Sequence, residues 1–118
     1  MAAPNLRVPS TVTGKLALAQ VSTSLASVLS NAAASGKCLK VTTIRAANIT
    51  GASSSISVTV YRSTTHRYLV KSAPVDSGLS LIVTSREDYI YLEEGDALYA
   101  QASGASAFDL SIAYEEVS

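Results

Sequence analysis

The chain has 118 residues, enough for one domain with one core. Its residues are 47% hydrophobic and 15% charged, which excludes an unfolded, highly solvated chain. Nine basic residues balance nine acidic ones, so no basic surplus is left to neutralise nucleic-acid phosphates or an anionic membrane.

Ser and Thr supply about a quarter of the residues, a density of small side chains that suits close sheet or subunit contacts. Cys38 is the only cysteine, which rules out an internal disulfide, and nothing suggests secretion or a cysteine-based metal site. No signal peptide is recognisable in "MAAPNLRVPS", and no apolar run approaches the length of a membrane span. The expectation is a soluble, cytoplasm-made protein with neither a nucleic-acid nor a membrane partner.

Residues 1–10 carry Pro4 and Pro9, which fix an extended course and remove donors. They read either as a frayed end or as an arm, through Pro4, Leu6 and Val8, that docks on a neighbouring subunit. Residues 11–118 are expected to form a single β-sandwich domain.

Between Lys15 and Ala34 two patterns compete. Leu18, Val21, Leu25, Val28 and Leu29 lie at helical spacings, yet serines interrupt them and "GKLALAQ" alternates with period two. Two strands, near 12–20 and 24–30, are the favoured reading, followed by a loop at "NAAASGK".

From Cys38 onward the strand signal strengthens. "CLKVTTIRAANI" is rich in β-branched residues and ends in the turn cluster "TGASS". "ISVTVYR" sets Ile56, Val58 and Val60 against Ser57, Thr59 and Tyr61, the pattern of a strand with one wet face. "HRYLVKS" is the next strand and "APVDSG" a loop. "LSLIVT" and "YIYL" are short apolar strands on either side of "SRED". "ALYAQAS" and the alternating "FDLSIAY" complete the series. About eight short strands with turn signals every 8–12 residues predict an all-β, antiparallel sandwich of jelly-roll or immunoglobulin-like type.

Few constellations suggest chemistry. Glu93, Glu94, Gly95 and Asp96 place three carboxylates around one glycine, but the spacing fails the calcium-loop pattern. A turn explains them better, with Glu93 and Glu94 central, Gly95 at positive φ closing a hairpin, and the carboxylates in water. His66 is the only histidine, so any Ser-His-acid triad must use it, and no nucleophile elbow or phosphate-cradling loop accompanies it. Tyr61, Tyr68, Tyr91 and Tyr99, with His66, are candidate interface residues, since tyrosine favours binding surfaces. The alternative is that the tyrosines cap the core ends. Arg62, Arg67 and Arg86 are scattered, as sheet-surface charges would be. No cofactor is indicated.

One longer series carries a resemblance. A strand ending "VTVYR", then "YLVKSAPVDSGLSLIVT", then "IYLEEGDALYAQASGASAFDLSIAYEEV" resembles the small virion structural proteins of tailed bacteriophages. The shared features are an alternating strand, a Pro-x-x-x-Gly loop (Pro74 to Gly78), an "IYLxEGDxL" hairpin (Ile90 to Leu98) and a last strand ending at Tyr114, Glu115 and Glu116. The match covers roughly residues 38–118, and the N-terminal third is not distinctive.

The resemblance implies a non-enzymatic virion subunit without catalytic residues. It would act as capsid decoration or cement, or in the neck, tail or fibre anchor. Its partners would be copies of itself, the major capsid protein or other virion proteins, after synthesis in the host's cytoplasm. Two alternatives stand beside it: a receptor- or carbohydrate-binding sandwich, and a hydrolase using His66 with Glu93 or Asp96.

Overall fold

Alternation of apolar and small polar residues, broken by glycine- and serine-rich turns, generates nine strands and no helix among the described residues. The computed structural model describes residues 11–85, 87 and 89–118. The expected arm with Pro4, Leu6 and Val8, and also Arg86, lie outside them. The strands are β1 (Val12–Val21), β2 (Ala26–Ser30), β3 (Cys38–Asn48), β4 (Ser54–Arg62), β5 (Thr65–Val75), β6 (Ser80–Thr84), β7 (Ile90–Leu92), β8 (Ala97–Ala102) and β9 (Phe108–Val117).

Two antiparallel sheets face each other. Sheet A runs β1-β9-β3-β6, with β7 pairing on β3 beyond β6, and sheet B runs β2-β8-β4-β5. The pairing is nested: first strand with last, β2 with β8, β3 with β6 and β7, β4 with β5. A long hairpin rolled around a barrel axis produces that order, so the sandwich is a jelly roll. The immunoglobulin-like alternative fails because β1 pairs with β9 and not with β2. β6 and β7 share one side of β3, and the nine strands are the segments named from the sequence, one more than the expected count of about eight.

Inward-facing residues of both sheets meet in one core. Ile44, Leu92, Phe108, Leu110 and Ile112 come from sheet A, and Ile56, Val58 and Leu98 from sheet B. The chain's single phenylalanine is among its fully buried side chains.

The ambiguous stretch from Lys15 to Ala34 is β-structured. Its alternation, not its helical spacings, matches the burial: Ala17, Ala19 and Val21 turn inward while Leu16 and Leu18 face out. Two further expectations are corrected. β5 runs through Pro74, opposite Ser55, because an edge strand has an open side where the missing N–H costs nothing. The loop therefore begins only at Asp76. The polar face of β4 is also not wet. Ser57 accepts a hydrogen bond from Ser72 N at 2.9 Å, and Thr59 is fully buried beneath aromatic rings.

Candidate functional site

The acidic stretch and the tyrosines take places that sequence reasoning only half foresaw. Leu92 pairs with Leu39 in sheet A, whereas Leu98 pairs with Val60 in sheet B. Residues 93–96 are therefore a corner where the chain crosses between sheets, and the expected hairpin is corrected. Asp96 N donates to Glu93 O at 3.0 Å, and Gly95 sits third in the turn at φ +86°. Glu94 and Gly95, not Glu93 and Glu94, are the central residues. Positive φ at the third position is the type II arrangement, which favours glycine.

Nor are the three carboxylates equivalent or uniformly solvated. Asp96 is 3% exposed. It accepts from Arg62 Nε at 2.9 Å, from Arg62 Nη2, and from Glu93 N at 2.8 Å. The bidentate fork raises the Arg62 pKa above its ordinary value, chiefly through the hydrogen bond to Asp96. Glu93 lies outside, 2.8 Å from Arg62 Nη2. Glu94 accepts from Gly36 N at 3.0 Å and so holds the β2–β3 loop. Arg62 is thus a tie between β4 and the corner, not a scattered surface charge.

Asn31 completes the joint. It is 4% exposed and donates from Nδ2 to Lys37 O at 2.8 Å and Leu92 O at 3.0 Å. Its backbone receives Gly95 N at 2.8 Å and donates to Asp96 O at 2.9 Å. Asn48 does similar work at the other end of β3, donating to Ala52 O and Val75 O and accepting from Thr50. Each carboxylate of the corner is therefore occupied in a structural contact. Among the described residues no group of three His, Cys, Asp or Glu side chains is gathered to hold a metal.

The predicted tyrosines separate onto two outer faces. Tyr61, His66 and Tyr99 form one cluster over sheet B, His66 lying 4.6 Å from the Tyr61 ring and 4.8 Å from Tyr99. His66 Nδ1 also meets Thr59 Oγ1 at 2.9 Å. These rings cover the sheet face and do not cap the core ends, as the alternative reading had it. Tyr68 stands beside them, exposed, with Lys71 Nζ 5.2 Å from its ring centre. Tyr91 lies on the opposite side of the molecule, edge-on to Tyr89, whose ring carries Lys40 Nζ at 4.5 Å. The structure thus unites Tyr61, His66 and Tyr99, and sends Tyr91 elsewhere. The His66 ring is wedged between tyrosines and hydrogen-bonded to a threonine.

A third feature was missed from sequence. The outer face of sheet A has a ridge of Leu16 and Leu18 on β1, 62% and 73% exposed. Leu18 also lines a shallow groove of about 430 Å³, together with Arg45, Ala47, Asp109 and Ser111. Ile82, 54% exposed, stands across the sheet on β6. The period-two alternation of "GKLALAQ" held the signal, but which half of the alternation faced water was not assigned. Comparison of the chain with protein-family models, curated proteins and solved structures gives no match.

Proposed function

We propose that this jelly roll is a non-enzymatic assembly subunit, a structural protein of a tailed-phage virion that decorates or cements the capsid. Its partners in that role are copies of itself and the major capsid protein, and its place is the virion. The observation that carries the reading is the division of labour on the surface. The acidic corner is spent on holding the two sheets together, while the outer face of sheet A offers exposed leucines around small side chains. Exposed apolar ridges on a sheet are contact surfaces more often than reaction centres. A formal net charge of zero adds no repulsion between copies. The motif series resembling small phage virion proteins supports the particular setting, with the neck, tail or fibre anchor as other positions in the same particle.

The test is quantitative mass spectrometry of purified phage particles that encode the chain, with a cryo-electron-microscopy difference map against gene-deleted particles. Ordered copies on the capsid are expected, and absence of the chain from the particles refutes the proposal.

A receptor- or carbohydrate-binding role has one observation in its favour, the cluster of Tyr61, His66 and Tyr99 beside exposed Tyr68. The rings are tilted or edge-on to one another and offer no single flat platform for a sugar. A glycan array separates the readings: blank for the assembly subunit, positive for the binding module.

A further inference from the structure

A strand at the edge of a sheet leaves a row of backbone donors and acceptors unmet, and folded proteins protect such edges. Four of the five outer strands carry the usual protection. β2 and β6 have five residues each, and each is paired through a register shift. β5 is longer, but its pairing shifts twice and it carries Arg67, Lys71 and Pro74. β7 has only three residues. β1 differs from all of these. Its ten residues pair with β9 in unbroken register from Val12–Val117 to Val21–Phe108, without proline.

The ladder shows which groups of β1 are free. Thr11 and Ser118 exchange both backbone bonds, at 3.0 and 2.9 Å. In an antiparallel pair such bonded pairs alternate with unbonded ones. With the register unbroken, Thr13, Lys15, Ala17, Ala19 and Val21 bond to β9. Val12, Gly14, Leu16, Leu18 and Gln20 then turn their N–H and C=O groups to the open side among the described residues. None of these five is charged. Their side chains share the outer face, so the open backbone and the exposed leucines belong to the same residues. Lys15, the only charge on the strand, has its backbone turned to β9 and its ammonium 3.0 Å from Glu116.

We propose that β1 pairs with β1 of a second copy of this chain, antiparallel about a twofold axis at Ala17, making one continuous sheet of the two sheets A. This rests on the assembly-subunit reading and names its first partner and contact. The sequence around Ala17 complements itself: Leu16 opposes the partner's Leu18, and Gly14 opposes the partner's Gln20. Four leucines then form one apolar patch on the outer face. Lys15 opposes the partner's Ala19, which keeps the two Lys15 side chains about 13 Å apart at roughly 3.3 Å per residue. Like charges facing each other are the usual obstacle to pairing identical strands, and this register has none.

The experiment uses the full chain. In a Cys38→Ala background, Ala17→Cys places thiols opposite each other at an unbonded pair, where Cα atoms approach about 4.5 Å, within disulfide reach. Mild oxidation is expected to give a covalent dimer, with Ser111→Cys, on the neighbouring strand, uncross-linked. Leu18→Lys puts a charge on the open edge and is expected to weaken the dimer at least about tenfold by sedimentation. Leu18→Thr, uncharged and suited to a strand, should retain it, and circular dichroism confirms that each variant folds. A wild-type monomer at every concentration overturns the inference. So does an oligomer that neither cross-links at Ala17→Cys nor responds to Leu18→Lys, or a cross-link formed only with a different protein. Cross-linking together with absence from phage particles would refute the virion reading and leave the β1 contact standing. Presence in particles without cross-linking would do the reverse.

Discussion

Replacing Asp96 by alanine tests whether the acidic corner is a joint between sheets. The substitution removes the acceptor for Arg62 Nε, Arg62 Nη2 and Glu93 N. Hydrogen bonds to a charged group contribute about 1.5–3 kcal/mol each in net terms. The sum is discounted on two grounds: Arg62 is half-exposed and regains water, and the buried carboxylate no longer has to be desolvated. The expected loss is about 2–3 kcal/mol. At an unfolding entropy of about 2.1 cal/mol/K per residue, that lowers Tm by roughly 8–12 °C for a chain of this size. Thermal unfolding followed by circular dichroism, with urea titration for the free energy, measures it. Arg62→Met in a double-mutant cycle should show coupling above about 1 kcal/mol, since it strands the same carboxylate. Glu93→Gln, at the exposed end of the fork, should cost under about 0.5 kcal/mol. If Asp96→Ala proves as mild as Glu93→Gln, the joint is not where the stability lies.

Three further outcomes are expected. The β4–β5 turn holds Ser63 and Thr64 at φ 50° and 61°, positions that favour Asn and Gly. Ser63→Asn with Thr64→Gly should therefore stabilise the fold by about 1–2 kcal/mol in urea titration, and no gain would mean the turn is unstrained. Gly95→Ala should cost about 1–2 kcal/mol through its φ of +86° alone, because a Cβ there meets nothing within 4 Å, while Gly14→Ala, equally roomy at ordinary φ, should be nearly silent. Hydrogen bonds from Lys37 and Lys15 hold the Glu116 carboxyl below its ordinary 4.5. A group whose folded pKa is depressed stabilises above its unfolded pKa and loses that contribution as pH falls through the folded value. Glu116→Gln should thus flatten the acid side of a stability–pH profile below about 4.5, and an unchanged slope would refute the ion pairs' role.

Strand positions were legible because a half-buried strand writes its own environment into alternate residues. "FDLSIAY" and "ISVTVYR" show this, with Phe108, Leu110, Ile112, Ile56 and Val58 all inside. The corner was not legible. Its local letters, a glycine at positive φ between apolar triplets, are those of a hairpin. What makes it a crossing is that Leu92 and Leu98 pair with different, distant strands. The burial of Asp96 was hidden for the same reason, since its partner Arg62 lies 34 positions away in the chain. Thr59 looked wet because its cover comes from Tyr61, His66 and Tyr99, on three different strands. The outward turn of Leu16 and Leu18 needed only the phase of an alternation already visible, and Val21, buried at the same strand's end, would have supplied it.

The nested pairing bears on how the molecule comes into being. β9 lies between β1 and β3, so the middle of sheet A is made by the last of the nine strands to be synthesised. Until residues 108–117 emerge, β1 has no intrachain partner in its sheet, and the core lacks Phe108, Leu110 and Ile112. Chains dominated by such distant pairings fold slowly, over milliseconds to seconds. Folding of this domain therefore waits for β9, and a ribosome-stalled chain that stops short of Phe108 would hold β1 open to any edge it meets.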